Sequence, residues 1–474
     1  MTGQYDFGMI GLGVMGSNLL LNMADHGYKT IGFDLKQERA EAFEAAARPG
    51  TTVKGVYRLE DLVAGLKKPR KIMMLVPAGK PVDDVLGSLK SLLEAGDIVI
   101  DGGNSYYRDT LRRVEASAAQ GIHFMGMGVS GGELGARLGP SMMPGGDREA
   151  YHYLQPLLEA VAAKADGDVP CVAFMGIGAA GHYVKMVHNG IEYALMQLIS
   201  EAYDLLHRGA GYSNEQLYLL FERWNRSELQ SFLIEVTADV FHTKDEETDR
   251  YLVDLILDQA GSKGTGKWTS QEAANLPVAI PTIDAAVSAR TLSVHKDLRT
   301  AAAGVYKVKG PGLDLQGEEL EAHLEKALSF AFLISYAQGL HMLASASVEL
   351  GMHIPLPDVI RVWKAGCIIR SVLLGTFSAA YEKNAELPNL LLDPQIAAFL
   401  KAREESTRII TAAALRSGVP VPCFASALTY YDGFRSERLP TNLIQAQRDY
   451  FGAHTYRRVD KEGVFHTEWH QDEE

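Results

Sequence analysis

The sequence predicts a doubly wound, mostly parallel α/β domain over residues 1–178, a large all-α domain over 179–440 and a C-terminal tail over 441–474. Three observations predict it. A short apolar run, Phe7-Gly8-Met9-Ile10, leads directly into Gly11-Leu12-Gly13-Val14-Met15-Gly16 and then a helical pattern. Strand-like and helix-like segments alternate through the first third of the chain, the pattern of a Rossmann-type sheet. After Gly176-Ile177-Gly178-Ala179-Ala180-Gly181, read as a flexible hinge, the alternation stops and helical periodicity dominates.

A chain of 474 residues exceeds one compact core, so two or three domains are expected. Hydrophobic content of 47% and charged content of 22% are ordinary for a globular protein. The net charge of −13 argues against nucleic-acid or anionic-membrane partners, which need a positive field. Cys171, Cys367 and Cys423 are far apart and lack metal-ligand spacing, as in a reduced, cytoplasmic chain with buried thiols. The stretch Met1–Asp6 lacks the basic and apolar runs of a secretory signal. The apolar window Ala327–Ala346 is broken by Ser329, Ser335, Gln338 and His341, which predicts a buried helix rather than a membrane span.

In chain order, the first strand, the Gly-x-Gly-x-x-Gly turn and the following helix form a dinucleotide cradle. Gly11 permits the tight turn, Gly13 lets backbone approach a pyrophosphate, and Gly16 lets helix and strand pack closely. The helix N-terminus adds amide donors and positive dipole. The second strand, Thr30–Phe33, ends at Asp34, where a carboxylate can accept hydrogen bonds from ribose hydroxyls. Further strands fit Lys71–Val76 and Asp97–Asp101. Two polar loops fall at the strand ends, Asp101-Gly102-Gly103-Asn104-Ser105 and Gly128-Val129-Ser130-Gly131-Gly132. The second can offer a hydroxyl and successive N–H groups to a carboxylate.

The helical part opens with a helix expected over about His182–Arg208, ~40 Å long. On it Lys185 and Glu192 are seven residues apart, which returns the side chain to within ~20° of its starting direction. His188 and Asn189 share that face, so an amine, an imidazole, an amide and a carboxylate form one row able to bracket a small polar ligand. A faint repeat links Leu198-Ile199-Ser200, Trp224 and Ser231 with Leu333-Ile334-Ser335, Trp363 and Ser371. Gly261-Ser262-Lys263-Gly264-Thr265-Gly266-Lys267 suits a phosphate without being a Walker motif. Arg290, and Arg448 and His454 within Gln447–His454, add further cations.

Together these motifs, Lys263-Gly264-Thr265-Gly266-Lys267-Trp268 and Gln447–His454 among them, closely resemble the 6-phosphogluconate dehydrogenase family over essentially the whole chain. The resemblance implies a cytoplasmic enzyme of the oxidative pentose phosphate pathway and gluconate utilisation. It would convert 6-phosphogluconate to ribulose 5-phosphate and CO2 with hydride transfer to NAD(P). It implies a homodimer, with a tetramer as the larger assembly, whose C-terminal tail reaches the partner's active site and brings Arg448 and His454 there. By the same resemblance Lys185 and Glu192 are the catalytic base and acid. Asn104, Ser130, Gly131, Gly132, His188 and Asn189 lie around the sugar acid. Tyr193, Lys263, Thr265, Arg290 and Arg448 lie around its phosphate. The cofactor residues are Gly11, Leu12, Gly13, Val14, Met15, Gly16, Asp34, Leu35, Lys36, Val76, Pro77, Ala78 and Asn104. No metal is expected, because an ammonium hydrogen bond can stabilise the developing enolate.

One departure bears on the cofactor. The common family version carries Asn-Arg-Thr after the second strand to grip the 2′-phosphate of NADP, where this chain has Asp34-Leu35-Lys36. Pro77 likewise stands where many relatives place a lysine. Losing a charged hydrogen bond costs about 1.5–3 kcal/mol, so NAD is expected to be preferred over NADP, with Lys36 able to recover part of the phosphate contact. Two rival readings are another β-hydroxyacid dehydrogenase acting on a related sugar acid, and a non-catalytic nucleotide-sensing protein on the same fold.

Overall fold

The computed structural model describes residues 4–307, 310 and 312–469. Seven strands form one sheet: β1 (Phe7–Ile10), β2 (Thr30–Phe33), β3 (Val53–Val56), β4 (Lys71–Met74), β5 (Ile98–Asp101), β6 (His123–Ser130) and β7 (Ser141–Gly145). Their order is β3-β2-β1-β4-β5-β6-β7, parallel throughout except for β7, which runs antiparallel to β6. Every residue of β1, β2 and β5 is buried, as expected where helices cover both faces of a parallel sheet. Chain order reverses direction between β1 and β4, so a crevice opens beyond their carboxyl ends. Helix α1 (Val14–Asp25) starts there, and α2 (Tyr107–Ala118) follows β5.

Strands β3, β6 and β7 were not apparent from sequence periodicity. Lys54 and Gly55 break an apolar pattern in β3, and β7 reads Ser-Met-Met-Pro-Gly, poor in β-branched residues. Gly128-Val129-Ser130, expected as a loop, instead completes β6 and pairs with Met143, Met142 and Ser141.

Helix α3 (Ala180–Asp204) lies across β6 and β7 and continues through a π-turn at Leu205–Gly209. The expected hinge at Gly176–Gly181 is a packed junction. Gly146 N–H donates to Gly176 O, and Ile177 N–H donates to Met352 O. A Cβ on Gly181 would stand 2.2 Å from Gly126 O and 2.4 Å from Met143 O. The glycine is there so that helix and sheet backbones can touch. Gly128 does the same under the site helix, since a Cβ there would lie 2.4 Å from Lys185 Cβ.

Helices α4 (Thr265–Asn275) and α5 (Pro281–Ser293) pack on α3, and so does the long α6 (Gly317–Glu349). The most apolar window of α6 is 89% buried within the protein, which makes it a core helix. The repeat has a structural counterpart. Trp224 and Trp363 are both buried, Ser231 and Ser371 pair in an antiparallel bridge, and 11-residue helices follow each, Phe232–His242 and Leu373–Lys383.

The chain divides into compact units spanning 1–427 and 428–474. Within the second, Asp449 on the helix Thr441–Gly452 is fully buried. Its carboxylate accepts hydrogen bonds from Thr455 N, Thr467 N and Trp469 Nε1 at 2.9, 3.0 and 2.9 Å, and His466 Nδ1 lies 2.9 Å away.

Candidate active site

The seven-residue spacing on α3 puts its polar row against a cavity of about 680 Å³ between the sheet ends and the helices. Lys185, Asn189, Glu192 and Tyr193 line it from α3, Asn104 from the β5 exit, and Ser130, Gly131 and Gly132 from the β6 exit. Lys263, Thr265 and Arg290 line it as well. His188 does not face the cavity but sits beneath it, fully buried, and joins its parts. Its Nδ1 is 3.3 Å from Lys185 Nζ, 3.0 Å from Asn189 Oδ1 and 3.7 Å from Glu192 Oε2. Its Nε2 is 3.2 Å from Ser130 Oγ, and the ring meets Trp363 edge-on.

Burial governs the electrostatics of the row. Lys185 is 6% exposed, and desolvation pulls its amine below the ordinary lysine range against the attraction of Glu192. Desolvation pushes the Glu192 carboxyl up, opposed by Lys185 and Arg290. His188 is driven well below its ordinary value, first by burial and then by Lys185, so it is neutral. An amine shifted down and a carboxyl shifted up move in the directions that general base and general acid chemistry require.

At the other end the groups suit a dianion. Arg290 stacks on the Tyr193 ring, 3.6 Å from its centroid. Helix α4 begins at Thr265 with Gly264 as its N-cap, no side-chain cap and no acidic residue in its first turn. Its first amides and positive dipole therefore face the same end as Lys263. Asn189 Nδ2 donates to Thr265 Oγ1 at 3.3 Å, linking the two halves.

A second cavity of about 800 Å³ opens beyond β1, β2 and β4, lined by Gly11, Gly13, Asp34, Leu35, Val76 and Pro77 among others. These residues fit a dinucleotide. A Cβ on Gly13 would meet nothing within 4 Å, and α1 starts there with no side-chain cap and no acid in its first turn. Gly16 packs so closely that a Cβ would stand 1.9 Å from Gly11 O. Met15 and Asn104, expected at the cofactor, line the first cavity rather than this one.

Leu12, Val14, Gly16, Lys36 and Ala78 line neither cavity. The Leu12 side chain is buried against Gly32, and its N–H donates to Asp34 Oδ2 at 3.0 Å. Lys36 N–H donates to Asp34 Oδ1 at 2.9 Å, and the residue is exposed. The cations lining the cavity are instead Arg39, 3.5 Å from Asp34 Oδ2, and Arg58, neither of which the sequence motifs flagged. Arg39 is five residues past Asp34 on the next helix, a placement that needs the helix start to be known.

Met196 and Ile368 also line the first cavity and were missed. Met196 follows Glu192 by one turn, so the helical row itself could have flagged it. Ile368 comes from the second half of the repeat, and its N–H donates to Ser130 Oγ at 3.3 Å. Arg448 and His454 belong to the C-terminal unit. Arg448 donates to Gln445 Oε1 at 3.1 Å, and His454 follows Ala453, whose φ is 48°.

Residues 6–178 match the family described as the NAD binding domain of 6-phosphogluconate dehydrogenase, and residues 181–469 match its C-terminal domain. The chain belongs to the 6-phosphogluconate dehydrogenase family. It is 49% identical to the decarboxylating 6-phosphogluconate dehydrogenase of Lactococcus lactis subsp. cremoris over 99% of this chain and all of the relative. Identity is also 49% to the NADP(+)-dependent decarboxylating enzyme of Bacillus subtilis, over 98% and 99% of the two chains. The Plasmodium falciparum 6-phosphogluconate dehydrogenase superposes with a TM-score of 0.94 at 44% identity, covering 98% of this chain and 100% of that one. The chain is accordingly an NAD(P)-dependent oxidoreductase.

Proposed function

We propose that the protein oxidatively decarboxylates 6-phospho-D-gluconate to D-ribulose 5-phosphate and CO2, in the oxidative pentose phosphate pathway of the cytoplasm. The observation that carries this reading is the row Lys185, Asn189 and Glu192 along one cavity, joined from beneath by His188, with Ser130, Asn104, Lys263, Arg290 and Tyr193 lining the same space.

Bound nicotinamide dinucleotide supplies the hydride acceptor. Lys185 removes the proton of the C3 hydroxyl as that carbon is oxidised. The 3-keto acid then loses its carboxylate as CO2, and protonated Lys185 returns the proton to the enolate oxygen. Glu192 protonates C1 of the enediol while Lys185 takes back the hydroxyl proton, giving the ketone. Ser130 and the Gly131 and Gly132 amides orient the carboxylate. Lys263, Thr265, Arg290 and Tyr193 hold the phosphate and fix the sugar's register. Arg448 and His454 complete the site of the partner subunit in a homodimer.

For the cofactor, Asp34 supports NAD over NADP because its carboxylate, with both oxygens anchored by the Leu12 and Lys36 amides, lines the dinucleotide cavity and would repel a 2′-phosphate there. Arg39 and Arg58 on the same cavity oppose that preference, so NADP is accepted as the weaker cofactor. A spectrophotometric assay with 6-phosphogluconate and each cofactor, coupled to CO2 measurement, tests substrate, reaction and preference together. Reduction of cofactor without CO2 release would favour the simpler β-hydroxyacid dehydrogenase reading.

A further inference from the structure

Asp101 ends β5, and its backbone carbonyl lies 2.9 Å from His182 Nε2 on α3. His182 Nδ1 lies 2.6 Å from Thr110 Oγ1 on α2. A carbonyl can only accept, so Nε2 carries the proton, Nδ1 is bare, and the Thr110 hydroxyl donates to it. The ring is 2% exposed, and burial holds it below the ordinary histidine range, which keeps it in this neutral tautomer.

The Asp101 side chain organises the rest of the loop. Its Oδ1 accepts from Gly103 N–H at 3.0 Å and its Oδ2 from the Ser105 hydroxyl at 2.6 Å. Arg113, 1% exposed, sits 3.5 Å from that carboxylate, donates to Gly79 O at 3.0 Å and pairs with Asp83 at 2.8 Å. One buried web therefore ties the exits of β4 and β5 to α3. Its attachment to α3 lies three residues before Lys185, on the same helical face. Gly126 of β6 makes room for it, since a Cβ there would stand 2.7 Å from His182 Nδ1 and 2.8 Å from Thr110 Cγ2.

We propose that His182, held between the Thr110 hydroxyl and the Asp101 carbonyl, is a positioning residue that sets the Asp101–Ser105 loop, and hence Asn104, against Lys185. This deepens the proposed function and rests on it. Hydride transfer needs the dinucleotide's reacting end and the base in register, and Asn104 and Lys185 are the two sides of that register.

The test compares His182→Gln, whose amide can still donate near the position of Nε2, with His182→Asn, which keeps only a polar atom near Nδ1. The Asn variant is expected to lose kcat by about 10- to 100-fold, the scale of a small misplacement of reacting groups. It should show a larger isotope effect with substrate deuterated at C3, and the Kd for 6-phosphogluconate should barely change. Hydrogen exchange across Asp101–Ser105 in the cofactor-free protein should quicken. The Gln variant should retain most of the wild-type behaviour on all four readouts. Thr110→Val, a milder change, should quicken the same exchange. Equal losses in the Asn and Gln variants, or unchanged loop exchange in both the Asn variant and Thr110→Val, would overturn the proposal. Absence of CO2 release by the wild-type protein would sink the proposed function instead, while the exchange comparison would still judge the web.

Discussion

The Lys185 amine and His188 Nδ1 stand 3.3 Å apart at the base of the cavity, and that same imidazole nitrogen is 3.7 Å from Glu192. A neutral histidine thus lies between the proposed base and the proposed acid, so that the two are not a closed ion pair. Direct pairing would stabilise both charged forms, the wrong forms for the proposed chemistry.

Lys185→Met should bind substrate and both dinucleotides yet perform no detectable turnover. Calorimetry for binding and cofactor absorbance for chemistry check it. Near-normal turnover would remove Lys185 from the mechanism.

Glu192→Gln should slow the reaction by about 10²–10⁴-fold, the range for losing a general acid, with binding largely kept. The proposed reaction needs neutral Lys185 and protonated Glu192. Activity should therefore fall on the acid side as Lys185 gains its proton and on the alkaline side as Glu192 loses its own. Burial moves these two groups in opposite directions, lowering the amine and raising the carboxyl, which widens the window in which both are ready. A kcat profile of the glutamine variant should lack the alkaline fall that belongs to Glu192.

Asp34→Asn should shift the ratio of kcat/KM values towards NADP by about 10- to 150-fold, the equivalent of one charged interaction. Arg39→Ala should shift it the other way. Parallel steady-state assays with the two cofactors decide. A wild-type enzyme that strongly favours NADP would show that Arg39 and Arg58 outweigh the carboxylate.

Mixing Lys185→Met with Arg448→Ala subunits should restore activity if the tail serves the partner's site, because half the sites in a heterodimer are then intact. If each tail serves its own subunit, unfolding and refolding the mixture together will restore none.

Glu201, on α3 and 2% exposed, accepts hydrogen bonds from the Cys423 and Phe424 amides at 2.9 and 3.1 Å. Desolvation nonetheless raises its carboxyl to about 7. The folded protein then holds a proton that the unfolded chain has lost, so stability is greatest below the unfolded pKa and declines as pH rises towards 7. The loss is of order ~3 kcal/mol. Glu201→Gln should flatten that slope and melt above the wild type at about pH 7.5. Parallel melting curves for the two proteins would expose a wrong sign.

The sequence by itself determined the parts whose physics is local. The glycine fingerprint between strand and helix is a backbone requirement, so β1, α1 and the dinucleotide cradle were legible. A seven-residue spacing on a helix fixes a common face, so the row from Lys185 to Glu192 was legible too. Tertiary structure decided what depends on distant segments meeting. Strands β6 and β7 could not be read because their glycines answer to α3, backbone and side chains, lying on them rather than to strand propensity. The same contact turns the supposed hinge at Gly176–Gly181 into a junction. Arg39 and Ile368 reach their cavities from elements whose placement no local pattern encodes. Only the fold could show that Asp34 has its oxygens held by two amides and a guanidinium nearby, because the charge around a carboxylate is set by what packs against it, not by its neighbours in sequence.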